Sequence, residues 1–216
     1  MKKLSLLTLA LTALLATQTA SATVVFTNFG PSLAFDYTQG NTIGNDFSGD
    51  NLASGATFTP LSTNYTFNSL TIALSCFFAP CADPFIVALT QDSAGQPATV
   101  IESFSVGGGT LSTSGSAYSP IVITSISHPT LSAGTAYWVT VATSTNNVGS
   151  WDLNNTGDVS SVALSYDAGV NWSAGGNPGA YQIDGAAIIA APEPGSLIGL
   201  ATGLLAMISA RKFKRS

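Results

Sequence analysis

Between residues 23 and 191 the chain has no lysine and no arginine. All six cations, Lys2, Lys3, Arg211, Lys212, Lys214 and Arg215, fall in the two terminal segments. Ten of the eleven acids lie between them, so that stretch carries a formal charge of −10. A passenger without cations cannot neutralise phosphates by counterion release, which excludes nucleic acid as a partner. The same lack disfavours anionic membrane surfaces and phosphorylated ligands. Charge of either sign is scarce, at 8% of residues, so solubility rests on Ser, Thr, Asn and Gln. Histidine is scarcer still. His128 is the single one, which leaves no histidine metal site, and it precedes Pro129 at a predicted strand end where a Ser-His-Asp triad is poorly served. No G-x-S-x-G elbow occurs either. Neutral polar ligands such as sugars remain open, as do divalent cations.

The chain also lacks an apolar run of full membrane-spanning length. The longer of its two shorter runs is at the C-terminus and the other at the N-terminus. There Lys2 and Lys3 precede a 13-residue run, 4–16, dominated by Leu, Ala and Thr, and Ala20-Ser21-Ala22 follows as a small-x-small site. This order reads as a secretory signal peptide, residues 1–22, cut by signal peptidase between Ala22 and Thr23.

At the C-terminus Pro192-Glu193-Pro194 leads into an apolar run, 195–210, and then Arg211, Lys212, Lys214 and Arg215. Sixteen residues fall short of the ~20 of a comfortable span, so thinning of the bilayer or snorkelling of the tail has to help. The cations hold the tail, 211–216, on the cytoplasmic side and leave the passenger outside. Gly195, Gly199 and Gly203 make two overlapping G-x-x-x-G steps that admit a second helix closely, although glycine is common in such helices anyway. Pro-Glu-Pro, a short apolar helix and a basic end resemble the PEP-CTERM sorting signal of Gram-negative bacteria, the substrate of exosortase-type transpeptidases. The resemblance covers about the last 25 residues, 191–216, and implies that the enzyme recognises Pro192, Glu193 and Pro194 and removes the helix and tail. It further implies a transient inner-membrane stage, a mature form at the cell surface or outside the cell, and a link to exopolysaccharide and biofilm matrix. A permanent tail anchor is the alternative.

The passenger, 23–190, reads as all-β. Runs at 24–29, 56–60, 65–75, 85–91, 100–106, 121–126, 136–142, 161–166 and 181–189 are rich in β-branched and aromatic residues and are separated by Gly, Asn, Ser and Pro. No amphipathic helix of useful length interrupts them. Nine short strands predict a β-sandwich with jelly-roll-like pairing, flanked by an N-terminal signal helix and a C-terminal transmembrane helix. Glycine-rich loops at 107–109 and 175–179 read as flexible connections, with ligand loops as the other option. The 58–74 strand pair, Ala136-Tyr137-Trp138 and the 166–172 turn are similar to the choice-of-anchor R domain, a family that brings fold and location and no established activity.

Cysteine is limited to Cys76 and Cys81, which in an exported chain predicts a disulfide closing a short loop. Their spacing is not C-x-x-C, and no further thiol offers a metal or redox role. Ser165-Tyr166-Asp167-Ala168-Gly169-Val170-Asn171-Trp172 resembles the Asp-box, with Ser165, Asp167, Gly169 and Trp172 in place and Asn171 departing at the Thr position. That motif is a hairpin in which Asp and Gly fix the turn and Trp packs beneath it. It is frequent in sialidases, whose chemistry needs an arginine cluster that this passenger does not have. Asn45-Asp46 and Asp50-Asn51, with Asp36 nearby, offer hard oxygen ligands to calcium, but the spacing fits no EF-hand and a solvated polar turn is the simpler reading, so no cofactor is expected.

Three functions fit these features. The first is a non-catalytic surface or matrix protein. The second is a carbohydrate-binding module using exposed aromatics such as Trp138, Trp151 or Trp172, although core packing is the simpler reading of all three, and of Trp138 in its alternating strand above all. The third is a glycosidase using two of the ten acids. The first is the expectation, with signal peptidase, an exosortase-type transpeptidase and possible polysaccharide as partners.

Overall fold

The computed structural model describes residues 22–45, 49–77, 81, 83–143 and 147–189. The predicted signal helix with Ala20, the sorting segment 191–216 and Asp46 lie outside them; Ala22 and Thr23 lie within. No helix among the described residues is long and apolar enough to cross a membrane. The elements there are strands and two short 3-10 turns: β1 (Ala22–Thr27), β2 (Asp36–Asn45), β3 (Asn51–Phe58), β4 (Tyr65–Ile72), β5 (Leu74–Cys76), β6 (Phe85–Ser93), β7 (Gln96–Val106) and β8 (Ser112–Thr113). The chain continues through β9 (Ile121–Thr124), β10 (Thr130–Leu131), β11 (Tyr137–Ala142), β12 (Val148–Leu153), β13 (Val162–Ser165), β14 (Ser173–Ala174) and β15 (Tyr181–Ala187).

These strands form two curled sheets over one core. The first runs β1-β15-β4, and β9 and β10 share the far edge of β4. Its edge strand β1 and the adjacent β15 are the first and last strands of the described chain, paired antiparallel from Ala22 opposite Ala186 to Thr27 opposite Gln182. The second sheet runs β7-β6-β11-β3 and forks there. β13 takes the upper part of β3, while β2 meets it only at Gly44/Leu52 and Asn45/Asn51 and then turns away to pair with β12. β12 pairs in turn with β5, and β5 pairs parallel with β8.

Alternation explains the core. Phe67, Leu70 and Ile72 of β4 and Tyr181 and Ile183 of β15 face Phe58 of β3, Val87 and Leu89 of β6, and Val139 and Val141 of β11. Each such aliphatic or aromatic side chain withdrawn from water contributes roughly 1.5–3 kcal/mol. Aromatic contacts fasten the layers: Phe58 of the second sheet meets Phe26 at 6.1 Å and Tyr181 at 6.4 Å in the first, and Phe67 meets Phe104 at 6.4 Å. Tyr181 is fully buried, and its hydroxyl is satisfied by donating to the Thr57 carbonyl at 2.6 Å.

All nine predicted runs overlap strands, 56–60 only at the last three residues of β3, and 65–75 is broken into β4 and β5 at Ala73. The sequence reading missed two long strands, β2 and β12. β2 reads Asp-Tyr-Thr-Gln-Gly-Asn-Thr-Ile-Gly-Asn, polar with two glycines, which is turn composition and not strand composition. It is held by pairing with β12 and β3, a tertiary effect that no local pattern carries.

Candidate functional site

The most unusual polar group is Asp152, on β12. Its residue exposure is 0%, and no lysine or arginine exists in the passenger to pair with it. Hydroxyls take that role. Ser75 of β5 donates to both carboxylate oxygens at 3.3 and 3.2 Å, and Tyr118 donates to Oδ2 at 2.7 Å. Burial pushes the Asp152 carboxyl up; bonds from Ser150, Tyr118 and Ser75 pull it back, nearby Asp36 adds repulsion, and the result is about 6. The same burial, with the Asp152 charge, drives the Tyr118 hydroxyl far up. Gly40 of β2 covers the cluster, and a Cβ there would overlap Ser150 Oγ and crowd Asp152 Oδ1.

Asp36 behaves oppositely. Thr38 donates to its Oδ1 through the hydroxyl at 2.5 Å and the backbone at 2.9 Å, and Gln39 adds a bond, so its carboxyl lies below its ordinary range. Two interacting carboxyls with opposed shifts form the pattern of an acid–base pair. Of the two, only Asp36 reaches the surface, since Asp152 is 0% exposed. Above the pair lies an aromatic group: Tyr118 meets Phe35 edge-on at 4.9 Å, and Phe35 meets Tyr37 at 6.5 Å and Phe29 at 6.0 Å. Tyr37 is 38% exposed. The sequence reading missed this cluster, since its members come from four separate segments.

Residues 165–172 form the turn between β13 and β14. Ser165 Oγ donates to Asp167 Oδ1 at 2.8 Å and accepts from Gly169 N at 2.8 Å. Asn171 donates to Asp167 twice, from its backbone at 2.8 Å and its side chain at 2.6 Å. The first of these bonds does most to hold the Asp167 carboxyl near about 2, and the side-chain bonds add to it. Asn171 thus fills the departing Thr position with an equivalent donor. Gly169 has φ +90°, and the Trp172 ring lies beneath it. Gln96, next to the β6–β7 turn, donates to the Trp172 carbonyl at 3.0 Å, tying this hairpin to the neighbouring one. The geometry is that of a structural turn.

Cys76 and Cys81 are joined, with Cα atoms 5.9 Å apart, and both are buried. In the 107–109 loop, expected to be a flexible connection, Gly107 and Gly109 are exposed and Gly108 alone packs against this bridge. Gly108 is buried, and a Cβ on it would lie 2.6 Å from Cys81 Cβ. Gly179, at the end of the second glycine-rich loop, packs just as closely on the Trp151 ring.

The tryptophans correct the expectation of a sugar platform. Trp138 and Trp151 are 1% and 0% exposed; their ring nitrogens donate to Asp92 Oδ1 at 2.7 Å and to the Ala180 carbonyl at 3.1 Å. Neither faces a ligand, because each indole finds both apolar cover and an acceptor inside the fold. Trp172 is half-buried in its turn. The oxygen cluster considered for calcium also changes shape. Asn45 and Asn51 stand opposite each other and Asp50 is exposed beside them, but Asp36 is at the other end of the ten-residue β2. Among the described residues no group of three His, Cys, Asp or Glu side chains gathers as a metal site would require. His128, at φ +48° between β9 and β10, places Nδ1 3.1 Å from the Phe67 carbonyl. A depression of about 330 Å3 is lined by Gln91, Asp92, Thr135, Ala136 and Tyr137. Its one acid is the acceptor for Trp138.

No family model, no curated protein and no solved structure matches the chain.

Proposed function

We propose that this chain is an exported surface or matrix protein with a non-catalytic, jelly-roll-like β-sandwich, sorted through a C-terminal Pro-Glu-Pro signal. The carrying observation is the division of charge: every cation lies in a terminal addressing segment, and the passenger between them has none. Lys2 and Lys3 open the signal peptide, and Arg211, Lys212, Lys214 and Arg215 orient the helix that an exosortase-type transpeptidase removes after recognising Pro192, Glu193 and Pro194. The interior of the sandwich supports a non-catalytic role, since its most perturbed carboxyl is sealed from solvent. Mass spectrometry of the protein from its native host tests the reading. The mature form begins at Thr23 and ends near Pro194; a surface form that retains residues 211–216 sinks the processing step and leaves a tail anchor.

A second reading, carbohydrate binding, is favoured by the half-exposed ring group of Phe35, Tyr37 and Tyr118 beside Asp36, Thr38 and Gln39. A glycan screen on the passenger checks it. Binding that disappears in Tyr37→Ala with the fold intact supports this reading, and a blank screen removes it.

A further inference from the structure

The two addressed ends leave the sandwich at one place. Ala22 at the start of β1 lies opposite Ala186 near the end of β15. The same end carries the β4 approach and the β10–β11 connection. Ile188 N donates to the Asn64 carbonyl at 2.8 Å, Asn64 Oδ1 accepts from Ala133 N at 2.9 Å, and Gly134 N donates to the Pro60 carbonyl at 2.8 Å. Loops 59–64 and 131–136 are therefore laced to the strand that leads into the sorting segment. None of the residues in 59–64, 131–136 and 186–189 is charged, in a passenger that carries −10 elsewhere. This end also exposes large aliphatic side chains: Leu61 at 88%, Ile189 at 66% and Ile188 at 42%.

From these observations we infer that this end of the sandwich rests on the lipid surface while the C-terminal run is in the membrane. The inference builds on the reading of residues 195–210 as a membrane segment. Tether length supports the contact. Among the described residues Ile188 is the last held by a hydrogen bond to the body of the fold, and seven peptide steps separate it from Gly195, a reach of at most roughly 25 Å when fully extended. Part of that reach is spent crossing the headgroup layer. The tethered end of the sandwich is thus held within roughly 20 Å of the bilayer surface at most, and the rim it presents there is uncharged and apolar. Leu61 and Ile189 insert at the interface, where aliphatic side chains gain from leaving water and where acids would be repelled by anionic lipid. The occupant of this surface is lipid, held by proximity and apolar burial and not by charge.

The test uses the full chain inserted in phosphatidylcholine vesicles that contain headgroup-quencher lipids. An environment-sensitive fluorophore is placed by Leu61→Cys, or by Val159→Cys as the control. Both positions are highly exposed, at 88% and 87%, so neither change disturbs packing. Val159 follows Asp158, which binds Asn28 just past the far end of β1. The label at position 61 is quenched at least about threefold more than that at 159, as expected for a side chain at the interface. Equal quenching in vesicles that carry the protein on flotation overturns the contact while leaving the membrane segment standing. A chain that does not float with vesicles overturns both.

Discussion

A buried carboxylate in a passenger without cations has to be stabilised by hydroxyls, and Asp152 shows what that costs. Its folded value of about 6 lies above the ordinary 3.8, so the folded state binds the proton more tightly than the unfolded one. Its contribution to stability is fully present below about pH 4 and is lost as pH rises to about 6. The carboxyls held low, Asp36, Glu102 and Asp167, act in the opposite sense and at lower pH. Urea unfolding should therefore show a midpoint that falls between about pH 4 and about pH 6, the window set by the ordinary and folded Asp152 values, and Asp152→Asn should flatten that slope. An unchanged slope in the variant would assign it elsewhere. A second residue prediction concerns Gly179, where a Cβ would lie 2.3 to 2.4 Å from the fully buried Trp151 ring. Gly179→Ala should cost about 1–3 kcal/mol in denaturant unfolding, the scale of overpacking a closed core. Legibility divides sharply at this scale. The Ser165–Trp172 turn is readable because its donors and acceptors are within seven residues of one another. The Asp152 cluster is not, because Ser75, Tyr118 and Asp152 meet only after β5 and β12 have paired.

Strands with apolar alternation announce themselves, and those held by their neighbours do not. β11 and β4 are legible from β-branched and aromatic residues, whereas β2 has turn composition and becomes a strand through β12. The closure between the two sheets is equally hidden. β7 edges the second sheet and β9–β10 edges the first, and Glu102 joins them. Its carboxylate accepts from Ser125 Oγ at 2.7 Å, Ile126 N at 2.7 Å and Ser127 N at 2.9 Å. Burial pushes its carboxyl up, and these bonds outweigh that and leave it below the ordinary carboxylate range. Glu102→Ala orphans three donors in a partly buried seam and should cost about 2–3 kcal/mol by urea midpoint, with Glu102→Gln losing less. The disulfide serves a neighbouring join, β5 to β6. By closing a loop of sequence separation 5 it contributes about 2 kcal/mol through chain entropy, which Cys76→Ala with Cys81→Ala should remove.

For the whole molecule, the pairing of the first described strand with the last decides the order of events. Ala22 and Thr23, which flank the expected signal-peptidase cut, are strand residues opposite Ala186 and Gly185 once the fold is complete. A peptidase needs that segment extended and free, so on the proposed reading the cut has to precede the closing of β1 on β15, the last of the described strands to follow through an export channel. Asn28 then locks the join, donating to the Gly179 carbonyl at 2.9 Å and accepting from Tyr181 N at 2.7 Å. Neither the pairing nor the lock was visible in the sequence, because Asn28 and Tyr181 stand 153 residues apart and meet only when the first described strand closes on the last. The composition adds a whole-molecule prediction that does not depend on the fold. Trypsin cuts after lysine and arginine, and residues 23–191 have neither. If both signals are removed, the mature protein, even fully denatured and reduced, should pass through trypsin without any change in mass. Pepsin, which needs no basic residue, should fragment it. The uncut precursor should instead lose its basic termini to trypsin, at Lys2, Lys3 and Arg211 to Arg215. A surface-extracted form that shortens under trypsin still carries a terminal signal, and which end shortens identifies the cut that did not occur.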